Sequence, residues 1–176
     1  MEQDTIFALA SGGGKTGIAV YRISGREAGV LLRRVSGREL PVPRRAGRIR
    51  VQDPENGGVL DDGLALWFPG PDSFTGEDVA ELHLHGGRAA IACVTDLLAR
   101  WARLAEPGEF TRRAFENGKM DLTEVEGLAD LVNAETAAQL RLAQRQLQGA
   151  LGALYEGWRE RLLDCLARME ASIDFS

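Results

Sequence analysis

Residues 107–133 decide the organisation of this chain, and they read Pro-Gly-Glu-Phe-Thr-Arg-Arg-Ala-Phe-Glu-Asn-Gly-Lys-Met-Asp-Leu-Thr-Glu-Val-Glu-Gly-Leu-Ala-Asp-Leu-Val-Asn. Before this stretch, short strand-like runs alternate with turns, whereas the sequence after it has almost entirely helical periodicity. Asn117-Gly118 is a turn signal that ends one short helix. Asp121 offers an N-cap side chain to the next helix, and Glu124, three residues later, completes a capping-box pattern. We therefore expect two domains, residues 1–118 and 119–176.

Lys119 lies between these two predicted helices, where its basic side chain can face whatever fills the junction. An ordinary helix corner explains the same residues, so the position alone identifies no site. In the first of the two helices, the spacing predicts that three apolar side chains point inward, namely Phe110, Ala114 and Phe115. Arg112 and Arg113 are expected at the side of this helix.

Length and composition restrict the class of protein. The chain has 176 residues, 44% of them hydrophobic, and a net charge of −5. No apolar run approaches 18 residues and no signal pattern begins the chain, which predicts a cytoplasmic protein without a membrane partner. The acidic balance argues against a broad nucleic-acid surface on this chain. Cys93 and Cys165 lie in helical patterns, and we expect them to be buried structural thiols rather than a disulfide or a metal site.

The first part of the chain has the pattern of an α+β domain. Apolar alternation and turn signals predict five strands, at residues 4–10, 18–23, 47–52, 60–68 and 79–85. Helical spacing predicts two helices, at residues 25–35 and 88–101. The proline- and arginine-containing segment 38–46 is expected to be a solvated loop. Together these elements predict two helices packed on a mixed or antiparallel sheet.

The glycine-rich segment Ser11-Gly12-Gly13-Gly14-Lys15-Thr16-Gly17 has the end of a nucleotide-binding P-loop motif. The first glycine of that motif is missing, because Leu9 occupies its position. A P-loop must also open a helix, whereas the β-branched run after this segment is typical of a strand. The segment therefore predicts a hairpin connection, with nucleotide binding at residues 12–16 as the less favoured alternative.

Charged residues on two predicted strands are further candidates for a site. Arg22 is a charged residue at the end of an otherwise apolar face of its predicted strand. Its side chain either extends past the sheet edge into solvent or binds an anion or a carbonyl group at the strand end. Glu81, His83 and His85 share one face of another strand. They fit three interpretations: a zinc site, although the chain has no further histidine; a solvated sheet face; or a pocket in which Glu81 anchors a flat heterocycle with two adjacent N–H donors, such as a pterin.

The last 42 residues have the pattern of long helices. No proline interrupts residues 135–176, and a single helix of that length would extend roughly 60 Å unless Gly149, Gly152 or Gly157 divides it. Its apolar stripe has too little partner surface within the chain. It predicts either the seam of a coiled-coil dimer or, as we favour, packing against helices beyond Ser176 in a longer protein.

Several motifs, in collinear order over essentially the whole chain, together resemble the tRNA modification GTPases of the MnmE/TrmE family. They are Asp4-Thr5-Ile6, Val20-Tyr21-Arg22-Ile23-Ser24-Gly25, Leu66-Trp67-Phe68-Pro69-Gly70-Pro71, Ser73-Phe74-Thr75-Gly76-Glu77-Asp78-Val79-Ala80-Glu81-Leu82, His85-Gly86-Gly87, Pro107-Gly108-Glu109-Phe110-Thr111, Arg113-Ala114-Phe115, Lys119-Met120-Asp121-Leu122, Ala129-Asp130-Leu131 and Ile173-Asp174-Phe175.

The resemblance implies a folate-binding, dimerising N-terminal domain related to the tetrahydrofolate domain of the aminomethyltransferases. It also implies a helical domain into which a GTPase domain with GTP, Mg²⁺ and K⁺ is inserted. Family members form homodimers and work with a flavin- and NADH-using partner, GidA or MnmG. The pair installs an aminomethyl or carboxymethylaminomethyl group at C5 of the wobble uridine of certain tRNAs, and a reduced folate supplies the one-carbon unit.

By the same resemblance, the residues that contact 5-formyltetrahydrofolate correspond to Arg22, Glu81 and Lys119. No catalytic residue and no metal ligand is assigned by it. Many family members carry a Pro-Pro-Gly-Arg loop where this chain has residues 11–15, so a contact of that loop with the folate or the dimer partner is not carried over to this chain. The GTPase domain and the C-terminal cysteine motif of the family have no counterpart in these 176 residues, and we expect this chain alone neither to hydrolyse GTP nor to complete the tRNA reaction.

Overall fold

The computed structural model describes residues 4–12 and 16–174. The chain forms two compact units, of which the first ends at Lys119 and the second begins at Met120. The elements of the first unit are β1 (Ile6–Leu9), β2 (Ile18–Ser24), α1 (Ala28–Ser36), β3 (Gly47–Gln52), β4 (Val59–Phe68), β5 (Val79–His85), α2 (Arg88–Leu98), β6 (Arg103–Leu104) and α3 (Glu109–Glu116).

The six strands form one mixed sheet in the order β3-β4-β5-β2-β1-β6. All neighbouring strands are antiparallel except β1 and β6, which are parallel. The predicted α+β class with a mixed or antiparallel sheet is therefore confirmed. In the centre of the sheet, β2 and β5 pair over their whole length, and this register places Arg22 opposite Glu81.

The hydrophobic core lies between one face of the sheet and helices α1 and α2. Alternate residues of β2 and β5 are buried there, since successive side chains of a strand point to opposite faces. The phenol of Tyr21 crosses the layer and donates to the carbonyl of Ile91 in α2 at 2.8 Å. The main apolar contributors from the two helices are Ala28, Leu31, Leu32, Val35, Val94, Leu97 and Leu98. The opposite face of β2 and β5 carries the candidate site residues.

The main differences from the sequence predictions are two helix boundaries and the exposure of both cysteines. Helix α1 begins at Ala28 rather than at residue 25, because Gly25 has φ +131° and lies close to Thr5. Helix α2 ends at Leu98 rather than at residue 101, and the next residues turn into β6, which was not predicted. Both cysteines are exposed free thiols, so the expectation that they are buried was wrong. On α2 the residues facing the sheet are Val94, Leu97 and Leu98, which leaves Cys93 on the solvent side.

The second unit consists of α4 (Leu122–Asn133), α5 (Ala137–Leu147) and α6 (Ala150–Asp174). The predicted capping box at the start of α4 is present, with Asp121 accepting from the Glu124 amide at 2.8 Å. The expected long helix is divided at Gln148-Gly149, where Gly149 has φ +78°. No residue of α6 is buried, and its apolar side chains stay largely exposed. None of the described helices is both long enough and apolar enough to cross a membrane.

Candidate ligand-binding site

Arg22 and Glu81 form the base of a cavity on the sheet face opposite the core. The strand register makes them cross-strand neighbours although they are 59 positions apart in sequence. Arg22 donates from both Nε and Nη2 to the same oxygen, Oε1 of Glu81, at 2.9 and 2.8 Å. The Arg22 side chain is 31% exposed and that of Glu81 16%. Because both bonds end on one oxygen, Oε2 of Glu81 keeps acceptor capacity for a further partner.

Two aromatic rings hold the Arg22 guanidinium from the side. Its central carbon lies 5.4 Å from the ring centroid of Phe74 and 5.8 Å from that of Phe110. Both distances are within the range of cation–π attraction. Phe74 belongs to the loop between β4 and β5, and Phe110 belongs to α3. The guanidinium is thus fixed by three separate parts of the first unit, which restricts its orientation toward the cavity.

Lys119 reaches the cavity because the β4–β5 loop packs against the end of α3. The Asn117 side-chain amide donates to the Thr75 carbonyl at 2.7 Å, and the Lys119 amide donates to the Ala114 carbonyl at 2.8 Å. Gly76 has φ +79°, and a Cβ there would lie 3.2 Å from Cγ of Lys119. A glycine is required at this close approach. The lysine side chain itself is exposed, with no ion pair to any described residue.

The cavity has a volume of about 400 Å³, which falls in the range of small-molecule sites. The structure brings all three sequence-predicted site residues to its wall, although they come from β2, β5 and the segment after α3. The lining residues are Arg22, Arg44, Phe68, Asp72, Ser73, Phe74, Val79, Glu81 and Lys119. The wall combines aromatic surface with three cations and two carboxylates, an arrangement suited to a flat polar ligand that carries negative charge.

Arg44 is a cavity residue that the sequence analysis missed, because the segment 38–46 was expected to be a solvated loop. Its backbone has φ +62°, an uncommon conformation for a residue other than glycine. The Arg44 amide donates to the Trp67 carbonyl at 2.9 Å, its guanidinium donates to the Asp72 carbonyl, and it lies 5.8 Å from the ring centroid of Phe68. No sequence pattern predicted the position of Arg44 in the cavity wall, because a positive φ at an arginine leaves no recognisable pattern in the sequence.

The two histidines near Glu81 bind different carboxylates. His83 Nε2 lies 3.3 Å from Oε2 of Glu81, whereas His85 Nδ1 lies 2.6 Å from Oδ1 of Asp61. The hydrogen bond and the charge of Asp61 raise the pKa of His85. Burial raises the pKa of Asp61, but the bonds from the His85 side chain and amide outweigh it, and the pKa is lowered. The described residues contain no group of three or more metal-ligating side chains, so the zinc interpretation gains no support.

A buried ionic network fixes α3 beside the site, and the sequence analysis also missed it. Arg113 is only 3% exposed, so the prediction that it lies at the side of the helix was wrong. The prediction that Phe115 points inward was also wrong, because this residue is 46% exposed. Arg113 bonds to Glu109, Glu77 and Asp4 at 2.9 to 3.2 Å. Hydrogen bonds from Arg103, with those from the Glu106 amide and Arg113, lower the pKa of Glu109 to about 2 despite burial. Most partners of Arg113 are distant in sequence, so helical spacing alone did not predict its burial.

The glycine-rich segment connects β1 to β2 as an antiparallel pair, which fits the predicted hairpin connection. Residues 13–15, including the lysine of the P-loop alternative, lie outside the described residues. The next element along the chain is strand β2, which begins at Ile18, and the Thr16 hydroxyl donates to the Ile18 carbonyl at 2.8 Å. A P-loop needs a helix here to direct amide groups at phosphate. The alternative therefore lacks its main structural element.

Comparisons with known proteins agree with this architecture. Residues 5–119 match the family described as GTP-binding protein TrmE N-terminus, and residues 122–176 match the MnmE helical domain. The chain is 60% identical over 174 residues to a tRNA modification GTPase MnmE of Paramagnetospirillum magneticum, covering 98% of this chain and 39% of that protein. It is 56% identical over 174 residues to a mitochondrial 5-taurinomethyluridine-tRNA synthase subunit of Homo sapiens, covering 97% and 35%.

The chain spans about 40% of the length of the curated relatives it matches. The two matched regions meet near the boundary between the two compact units, after Lys119. The family match to the first region covers well over half of the chain. The chain therefore belongs to the MnmE/TrmE family of tRNA modification GTPases, and it comprises that family's N-terminal and helical regions.

Proposed function

We propose that the first unit binds a reduced folate of the 5-formyltetrahydrofolate type in the cavity above Arg22 and Glu81. The observation that carries this proposal is the meeting of Arg22, Glu81 and Lys119 at one cavity. These three residues come from distant parts of the sequence, and the resemblance to the family selects the same three as folate contacts.

The chemistry of the cavity suits the parts of a folate. Glu81 accepts N–H donors of the pterin edge through the remaining lone pairs of its carboxylate, since Oε1 is bonded to Arg22 and Oε2 lies 3.3 Å from Nε2 of His83. The ring of Phe74 offers a face for the flat heterocycle. Arg22 and Lys119 donate charge-assisted hydrogen bonds to ligand oxygens, which add orientation as well as affinity.

The activity of the whole protein is proposed from the family. In this proposal the folate supplies the one-carbon unit that becomes part of the group at C5 of the wobble uridine in tRNA. The protein acts as a homodimer together with a flavin-dependent partner, and GTP with Mg²⁺ and K⁺ binds in a GTPase domain outside the two matched regions. The exposed apolar side chains of α6, such as Leu162 and Met169, pack against further helices of the helical domain.

The compartment is proposed in the same way. A cytoplasmic site of action agrees with the bacterial relatives, whereas the relatives in Homo sapiens and Danio rerio are named as mitochondrial proteins. The domain boundary also belongs to this proposal: residues 1–118 form the folate-binding and dimerising domain, and residues 119–176 begin the helical domain.

Isothermal titration of the chain with 5-formyltetrahydrofolate, beside GTP with magnesium, tests the folate site. We expect folate binding without GTP binding, and we expect Glu81→Ala to reduce folate affinity at least tenfold, because a buried polar contact to a ligand contributes upward of about 1.4 kcal/mol. Glu126→Ala is the matched control, since Glu126 is an exposed glutamate of the second unit. If the Glu81 variant bound folate with wild-type affinity, Glu81 would not be part of the site. If the chain formed a dimer that folate does not stabilise, the first unit would have a purely structural role.

A further inference from the structure

One short segment of this acidic chain is rich in basic residues and poor in acidic ones. Residues 33–50 contain seven arginines and a single acidic residue, Glu39. The other 158 residues hold 14 basic and 25 acidic side chains, a net charge of −11 against +6 for this segment. The segment runs from the last turn of α1 to β3. The overall charge of −5 therefore hides a strongly positive region.

Three of these arginines converge on a second cavity at the edge of the sheet. Arg38, Arg48 and Arg50 line a concave site of about 220 Å³ together with Ile49 and Asp62. Strand β3 is an edge strand, and Ile49 is buried in the core. By strand alternation Arg48 and Arg50 share the opposite face, about 6.6 Å apart along the strand. The cavity is separate from the folate site, since the two share no lining residue.

The positive charge of this arginine cavity is only partly compensated. Asp62 is the one carboxylate in its lining, with Oδ1 at 3.3 Å from Nε of Arg50 and 3.9 Å from Nη2 of Arg48. Arg38 has no ion pair with any described residue. The side chains of Arg48 and Arg50 are 79% and 54% exposed, so their guanidinium groups are accessible to a large partner. Three cations and one carboxylate leave a net charge of +2 at an accessible, concave edge.

We propose that the arginine cavity formed by Arg38, Arg48 and Arg50 binds backbone phosphates of RNA. A guanidinium presents a planar fork of donors that matches phosphate oxygens. Consecutive cations along a strand suit a polymer with regularly spaced anionic groups better than one small anion. The acidic remainder of the chain repels the same polymer, so the contact is restricted to this edge. The proposal rests on the proposed function only for the kind of RNA, a tRNA.

Fluorescence anisotropy with a labelled, unmodified tRNA transcript at several salt concentrations tests the proposal. The double variant Arg48→Ala, Arg50→Ala removes two phosphate contacts. Each contact contributes about 0.7 to 0.9 to the slope of log K against log salt, so we expect that slope to fall in magnitude by roughly 1.4 to 1.8. We expect the affinity at low salt to fall at least tenfold. The control is Arg88→Ala, Arg141→Ala, which removes the same charge at exposed positions outside the segment.

Each outcome decides for or against the arginine cavity. An unchanged slope in the Arg48 and Arg50 variant, an equal loss in the control, or RNA binding too weak to detect would overturn the proposal. Binding of an acidic polypeptide, but not RNA, in the same Arg-dependent way would assign the surface to a protein partner instead. Titration with 5-formyltetrahydrofolate separates the two proposals. If the Arg48 and Arg50 variant keeps its folate affinity but loses RNA binding, the result supports the arginine cavity. If the wild-type chain binds folate but no RNA, the arginine cavity is refuted while the folate site stands.

Discussion

Glu109→Gln should lower the free energy of unfolding of the first unit by about 3 kcal/mol at pH 7. The pKa of Glu109 lies at about 2 instead of 4.5, because the hydrogen bonds from Arg103, the Glu106 amide and Arg113 outweigh the burial of this 2% exposed residue, which by itself raises the pKa. A shift of that size corresponds to roughly 3 kcal/mol of preference for the ionised form in the folded state. Removing one partner of a buried ion pair typically costs about 3 to 5 kcal/mol, which agrees.

The sign of the pH dependence gives the sharper test. A carboxyl group whose pKa is lowered by folding stabilises the protein above its ordinary pKa, and this contribution disappears as the pH falls from about 4.5 to about 2. The stability difference between wild type and Glu109→Gln should therefore shrink over that range. Other acidic groups titrate there too, but they are common to both proteins and cancel in the difference.

Urea unfolding followed by tryptophan fluorescence measures this difference. A Trp158→Phe background leaves Trp67 and Trp101, both in the first unit, as the reporters. Glu106→Gln is the matched control: that side chain is 62% exposed and pairs with Arg112, so we expect a loss below about 1 kcal/mol. A Glu109→Gln deficit that stays constant between pH 6 and 3 would refute the reasoning, because it would show that packing rather than charge is lost.

Two further substitutions test contacts at the edge of the candidate site. Gly76→Ala should lower the free energy of unfolding by about 1 to 2 kcal/mol and weaken folate binding, because the added Cβ would crowd Lys119. Gly118→Ala is the control: Gly118 also has a positive φ but lies in open space, so its substitution should leave folate affinity unchanged. Equal folate binding by both variants would contradict the proposed position of Lys119. Asp61→Asn should return the raised pKa of His85 toward 6.5, as measured by NMR titration, and an unshifted His85 would show that Asp61 is not the cause.

Local sequence signals predicted the elements of this fold well. The capping box at Asp121 and Glu124 was readable because a cap uses residues only three positions apart. The alternation that buries Ala80, Leu82 and Leu84 was equally readable, since the sheet is covered by helices on one face. The short strand β6 was not, because two residues carry no periodicity and this strand exists only through its pairing with β1.

The residues of the candidate site could be selected from the sequence, but the geometry that brings them together could not. Arg22 and Glu81 each attracted attention by charge on a strand, yet their ion pair depends on the β2–β5 register, which no local pattern encodes. The burial of Arg113 was missed for a related reason: its compensating carboxylates, Asp4 and Glu77, are 109 and 36 residues away. Arg44 has a positive φ, which residues other than glycine rarely adopt, so its place in the cavity wall could not be predicted from the residue type.

Strand β1 precedes the other described strands, and one of its two neighbours in the sheet, β6, is the last of them along the chain. Its parallel partner begins at Arg103, and the same arginine bonds to Asp4 at 2.7 Å. At about 5 to 20 residues per second, a ribosome needs on the order of 5 to 20 s to make the intervening segment. Through that interval Ile6 and Phe7, almost fully buried in the finished unit, lack one side of their sheet. We therefore expect β1 to present an unpaired strand edge, the kind of edge at which aggregation starts, until β6 has been translated.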